Sequence, residues 1–294
     1  MRAPARVSLA LFVGFLAAAA SPAARAEKVL RDIVYATVEG TPLKLDLRMP
    51  EKSPPAGLII WVHGGAWRSG SRLGIEIVHI VEYGWALASV DYRLSTVARF
   101  PAQIYDVKAA IRFLRAHAAE YGYPPERFAI AGASAGGHLA ALVGVTNGMA
   151  ELEGTEGECR TASSQVQAIV DLYGASDLST IVAQSTPHGL STRIPALKLL
   201  LGDEPERVPA LARLASPVFQ VDPSDPPLLV EHGDQDPQMP VNQALELVGA
   251  YERTGLPVTL KIMHGSGHGG PAFTDATNLA LIDRFLRAHL AGQN

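Results

Sequence analysis

Apolar runs alternate with amphipathic stretches along most of this chain. Residues 58–62 and 85–90 are almost continuously apolar, the pattern of strands buried on both faces. Segments 128–131, 168–173, 227–231 and 258–263 read as further strands. Leu43, Leu45 and Leu47 alternate with Lys44, Asp46 and Arg48, which predicts a strand with one face in solvent. Turn residues around Gly40 and Pro42 join it to a partner over 29–38. Ile104, Val107, Ala110, Ile111 and Leu114 recur at helical spacing, and 137–143, 241–253 and 278–290 predict further helices. This alternation predicts an α/β protein with a mostly parallel central sheet covered by helices on both faces. Ligands of such sheets bind beyond the carboxyl ends of the strands. Residues 174–226 break the rhythm, with many prolines, few strand signals and a short helical stretch near 196–201. They predict a helical lid or insertion lining the substrate pocket, with a long decorated crossover as the alternative.

The amino terminus carries a different signal. A basic start through Arg6 is followed by an apolar stretch over 7–20, then by Ala24-Arg25-Ala26. That sequence predicts a secretory signal peptide over 1–26, cleaved before Glu27. The apolar stretch is shorter than the ~20 residues of a spanning helix, so no membrane anchor is expected. The remaining residues, 27–294, suit one α/β domain. A formal net charge of −4 gives no basic footprint for nucleic acid or anionic lipid. The single cysteine, Cys159, lies in a polar stretch and reads as an ordinary loop thiol.

The chemistry enters at Gly132-Ala133-Ser134-Ala135-Gly136, a G-x-S-x-G pentapeptide between a predicted strand and a predicted helix. A serine on that tight turn projects its hydroxyl off the sheet edge, and the glycines permit the close helix–strand approach. Serine needs a base to take its proton, and the base needs an acid to orient it. Each follows a later predicted strand, in the order acid then histidine. His232-Gly233-Asp234-Gln235-Asp236-Pro237 offers two carboxylates. Asp236 is favoured as the acid, with Asp234 shaping the turn. His264-Gly265-Ser266-Gly267-His268 offers two histidines, of which His268, in the glycine-rich part, is favoured as the base.

A tetrahedral oxyanion needs donors already aimed at it. The N–H of Ala135 is one candidate. The loop His63-Gly64-Gly65-Ala66-Trp67, after a buried strand, supplies the others. Gly64 and Gly65 are assigned, with Ala66 as an alternative. His63 reads as a loop-orienting residue. Trp67 is expected either to line the substrate pocket or to pack beneath the loop. Asp91 and Arg93 read as a pair bracing loops, and His138 as a packed, satisfied histidine. No cluster has metal-ligand spacing beyond residues already assigned, and no dinucleotide fingerprint occurs, so neither metal nor cofactor is expected.

These motifs together resemble the α/β-hydrolase superfamily. More narrowly they resemble the secreted carboxylesterases related to hormone-sensitive lipase, in particular bifunctional feruloyl and acetyl-xylan esterases. The matching pieces are Leu45-Asp46-Leu47, the His63–Trp67 loop, Asp91-Tyr92-Arg93-Leu94, Phe100-Pro101-Ala102-Gln103, the serine turn continuing through Gly137-His138-Leu139-Ala140, Pro226-Pro227-Leu228-Leu229 and Gly267-His268. The resemblance implies Ser134, Asp236 and His268 as the triad and Gly64, Gly65 and Ala135 as the oxyanion hole. The chain departs from the pattern at Ala66, where a third glycine is usual, and at Gln235 and Met239.

The expected activity is hydrolysis of short-acyl or hydroxycinnamoyl esters, small or polysaccharide-linked, outside the cytoplasm. An arylformamidase, a peptidase or a lipase would use the same triad, and a catalytically dead binding protein would keep only the fold. Fold and triad do not choose the substrate.

Overall fold

The computed structural model describes residues 28–51 and 54–290; the predicted signal peptide lies outside them. Eight strands form one sheet in the order β1-β2-β4-β3-β5-β6-β7-β8. They are β1 (Lys28–Val38), β2 (Thr41–Met49), β3 (Leu58–Val62), β4 (Ala86–Val90), β5 (Phe128–Ala133), β6 (Ala168–Leu172), β7 (Leu228–Gly233) and β8 (Val258–Met263). β1–β2 and β2–β4 pair antiparallel, and every other pair is parallel. The helices are α1 (Ala102–Ala116), α2 (Ala118–Tyr121), α3 (Ala135–Gly144), α4 (Ile181–Gln184), α5 (Pro187–Leu201), α6 (Pro209–Leu214), α7 (Asn242–Thr254) and α8 (Ala276–Leu290).

The apolar runs form central strands because both of their faces are covered. Leu58, Ile60 and Val62 of β3 join one core with Ile111 of α1, Leu139 of α3, Leu197 of α5 and Leu247 of α7. Ile59 and Trp61, pointing the other way, join a second core with Ile282 and Leu286 of α8. Each such side chain withdrawn from water contributes roughly 1.5–3 kcal/mol, so this sandwich fixes the strand register. β2 differs from expectation. Its polar face is solvated only in part: Lys44 and Arg48 are half-buried, and Asp46 is 2% exposed because the Arg72 guanidinium lies on it, with Nε 2.9 Å from Oδ1. Asp91 and Arg93 do brace loops, but not with each other. Asp91 pairs with Arg72, and Arg93 with Asp106 and Glu156.

Residues 174–226 lie in the crossover from β6 to β7 and hold α4, α5 and α6. The helix expected near 196–201 begins earlier, at Pro187, where Thr186 Oγ1 accepts the Gly189 N–H at 3.0 Å as an N-cap.

Candidate active site

Parallel register brings β3, β5, β6, β7 and β8 to a common carboxyl edge, with Val62 opposite Gly132, Ala133 opposite Leu172 and Gly233 opposite Met263. The loops leaving that edge carry every residue of the site. Ser134 turns the chain from β5 into α3 at φ 56° and ψ −117°, a region an L-residue occupies only when its surroundings impose it. The flanking glycines are sterically required. A Cβ on Gly136 would lie 2.0 Å from the Val62 carbonyl oxygen, and one on Gly132 would lie 2.2 Å from that of Gly136.

Ser134 Oγ stands 2.9 Å from His268 Nε2, and His268 Nδ1 stands 2.6 Å from Asp236 Oδ2. The serine hydroxyl donates to one ring nitrogen while the other N–H donates to the carboxylate. Asp236 Oδ1 accepts the N–H groups of Gln238 and Met239, both at 2.8 Å. Burial pushes the Asp236 carboxyl up, but the hydrogen bond and charge of His268, with those two N–H groups, outweigh it and hold the carboxyl below its ordinary range. Beneath it His232 donates from Nε2 to the Met239 carbonyl at 3.0 Å, and burial pulls its pKa down. The competing residues form a second Asp–His pair. Asp234 accepts from His264 Nδ1 and Gly265 N–H, both at 2.8 Å. That pair folds the two loops against one another at the surface.

Gly64, Gly65 and Ala66 border the same cleft as Ser134 and His268. A Cβ at Gly64 would lie 3.5 Å from Ser134 Cβ, so this backbone runs alongside Ser134. Gly65, Ala66 and Trp67 are all left-handed, at φ 111°, 52° and 58°. Ala135 is the first residue of α3, and its N–H has no acceptor within the helix. His63 donates from Nδ1 to the Gly64 carbonyl at 2.7 Å and stacks on Tyr92, which holds the loop.

Trp67 does not line the cleft. It is fully buried, and its indole N–H donates to His138 Nδ1 at 3.0 Å. His138 Nε2 in turn donates to the Ala215 carbonyl at 2.7 Å. Burial drops the His138 pKa to about 4, so the ring is a neutral strut between the Gly64 loop and the crossover. Of the two readings of Trp67, packing beneath the loop is the one observed, with the indole held against His138.

The sequence reading missed three residues around the cleft. Tyr173, at φ 44° just past β6, sets its ring edge-on to His268 with centroids 4.8 Å apart, and its hydroxyl donates to Glu76 Oε2. Burial, then Glu76, pushes the Tyr173 phenol far up, so it stays protonated. Its place at a strand end was the signal available. Arg193 of α5 also lines the cleft. It falls on that helix's buried side with Gly189, Ala196, Leu197 and Leu200, so the signal was a charge on an apolar stripe. Glu76 carried none.

The BD-FAE family model matches residues 45–251. Esterase LipC of Mycobacterium tuberculosis is 36% identical over 229 residues, covering 75% of this chain and 54% of that protein. The chain spans about half the length of the curated relatives it matches. A truncated form of a carbohydrate esterase from gut microbiota superposes with a TM-score of 0.82 at 32% identity, over 90% of this chain and 97% of that one. The thermophilic esterase 2 of Thermogutta terrifontis with propionate bound gives 0.71 at 28% identity, over 91% and 97%.

Proposed function

The chain belongs to the BD-FAE family and has the α/β-hydrolase fold, and from that premise we propose that it is a serine carboxylesterase for short-acyl or hydroxycinnamoyl esters. The observation that carries this reading is the continuous relay from Ser134 through His268 to Asp236, at 2.9 and 2.6 Å. Ser134 Oγ attacks the ester carbonyl carbon as its proton passes to His268 Nε2. Asp236 steadies the imidazolium that forms. The N–H groups of Ala135, Gly64 and Gly65 receive the oxyanion in a site that is already arranged, so little reorganisation accompanies charge development. His268 then returns the proton to the leaving alkoxide oxygen, the C–O bond breaks, and an acyl-serine remains. Water attacks that acyl group by the same route, giving its proton to His268 and releasing the acid and free Ser134.

The cleft encloses about 790 Å³, within the roughly 300–1,000 Å³ usual for small-molecule sites. Leu73 and Ile75 are apolar residues of its lining, and Arg68, Ser69, Ser71 and Gln238 are polar ones. A lining with this polar share favours a soluble or carbohydrate-linked ester over a lipid droplet. The similar proteins include a carbohydrate esterase and an esterase with propionate bound, which agrees with short acyl groups. The predicted signal peptide adds that the substrate is met outside the cytoplasm.

The test is an ester panel on purified wild type and Ser134→Ala. It holds p-nitrophenyl esters of graded length, methyl ferulate and acetylated xylan, beside aryl formamides and peptide amides. Cleavage of short or feruloyl esters is expected, with loss of about 10⁴-fold or more in kcat on removing the nucleophile. Turnover confined to formamides or amides would overturn the ester assignment. Equal turnover by both proteins would overturn the mechanism.

A further inference from the structure

Arg193 has surroundings that packing alone does not explain. It is 3% exposed, yet it borders the cleft together with Ser134, His268 and Thr192. Its Nη2 donates to the Gln238 carbonyl at 3.1 Å and contacts Met239 Sδ at 3.6 Å. Its guanidinium carbon stands 6.0 Å from the Trp67 ring. Its Nε is buried with no partner, and no hydrogen bond from Nη1 is found among the described residues. No carboxylate among them forms an ion pair with it. The carboxylate whose field it feels is Asp236, whose oxygens are already engaged by His268, Gln238 and Met239. Burial lowers its pKa only to about 10, so it remains a cation near neutral pH.

A charge withdrawn from water without a counter-ion is strongly unfavourable. A chain that keeps one at the wall of a reaction cleft gains only if something else supplies the anion. We propose that Arg193 is a specificity residue that binds a carboxylate on the ester substrate, on either its acyl or its alcohol side. This rests on the esterase reading and deepens it. The guanidinium suits the task, since it offers several donors in one plane and a charge-assisted contact. Thr192 beside it adds a hydroxyl at the same wall.

The experiment compares charged esters with neutral isosteres. On the acyl side the pair is p-nitrophenyl hemisuccinate and its methyl ester. On the alcohol side it is acetylated methyl glucuronoside and acetylated methyl glucoside. The readout is the ratio of kcat/KM, charged over neutral, in which any general damage from substitution cancels. For wild type the ratio should exceed one on one side, which identifies where the carboxylate lies. It should fall about tenfold or more in Arg193→Gln, mainly through KM, and be partly kept in Arg193→Lys. An unchanged ratio in Arg193→Gln would mean that Arg193 only braces the Gln238 loop, and the proposal fails. If wild type cleaves no ester, the esterase reading fails separately. In that case protection of Ser134 from a fluorophosphonate by succinate or glucuronate decides: protection in wild type but not in Arg193→Gln upholds the anion subsite, and protection in neither overturns it.

Discussion

Asp171 lies directly under the nucleophile turn. A Cβ on Gly137 would stand 2.3 Å from its Oδ1, and that same oxygen accepts the Gly174 N–H at 2.8 Å. Burial pushes its carboxyl up to about 7, opposed only by that one hydrogen bond. An unfolded aspartate ionises near 4, so the folded protein binds a proton that the unfolded chain has released. Stability linked to Asp171 is therefore greatest below pH ~4, declines as pH rises to about 7, and is level above that. Asp171→Asn keeps an acceptor for Gly174 and removes the ionisation. Its gain in melting temperature over wild type should be larger at pH 8 than at pH 5, as read by thermal unfolding at the two values. A gain independent of pH would place the effect in packing instead. Ser134, Asp236 and His268 are a different class of residue, joined by hydrogen bonds across three loops.

At the scale of elements, α5 is the piece that completes the cleft. Its first turn is held twice through Thr186, whose Oγ1 accepts the Gly189 N–H and donates to the Pro237 carbonyl at 2.7 Å. The second bond ties α5 to the loop that carries Asp236, while Arg193 reaches the same loop at Gln238 about two turns later. Thr186→Ala removes the cap and the tie together and should lower unfolding stability by about 1–2 kcal/mol in urea. Thr186→Ser should restore most of it, since the hydroxyl suffices for both bonds. A loss absent from Thr186→Ala would show that α5 is held by its apolar face alone.

Across the whole molecule, one guanidinium joins the antiparallel edge of the sheet to the loop after β3. Arg72 bonds Asp46 on β2, Asp91 after β4 and Asp32 on β1, at 2.9, 2.7 and 2.7 Å. Through it the loop that carries Gly64 and Gly65 is anchored to strands distant in sequence. Arg72→Met leaves the buried Asp46 carboxylate with only Arg31 at 3.5 Å and the Asp32 N–H at 2.9 Å, so it should cost about 2–3 kcal/mol, measured by denaturant titration. Asp46→Asn on that background should recover part of the loss, because the under-compensated charge at Asp46 is then gone. No helix of the described residues is long and apolar enough to cross a membrane.

Much of this protein was legible in its residues. The strands over 58–62 and 128–131 and the helices α7 and α8 follow from local periodicity, which burial on a sheet face or a helix stripe enforces without reference to distant contacts. The G-x-S-x-G turn was legible as a local pattern, although only Gly132 answers a steric demand from within the five residues; Gly136 answers one from Val62 on β3. Loop position ranked Asp236, set before a proline beyond the turn, over Asp234, and the glycine-rich stretch ranked His268 over His264. The structure adds that the disfavoured pair bond each other at the surface, 2.8 Å apart, while His268 reaches Ser134. Tertiary structure alone decided the rest. Trp67 turned into the core, Asp46 was buried by Arg72, Tyr173 came against His268, and Arg193 was left at the cleft wall with no ion pair to a carboxylate among the described residues. Each of these depends on which side chain arrives from another part of the chain, and burial of a charge or an indole is priced by those neighbours rather than by the residues beside it in sequence.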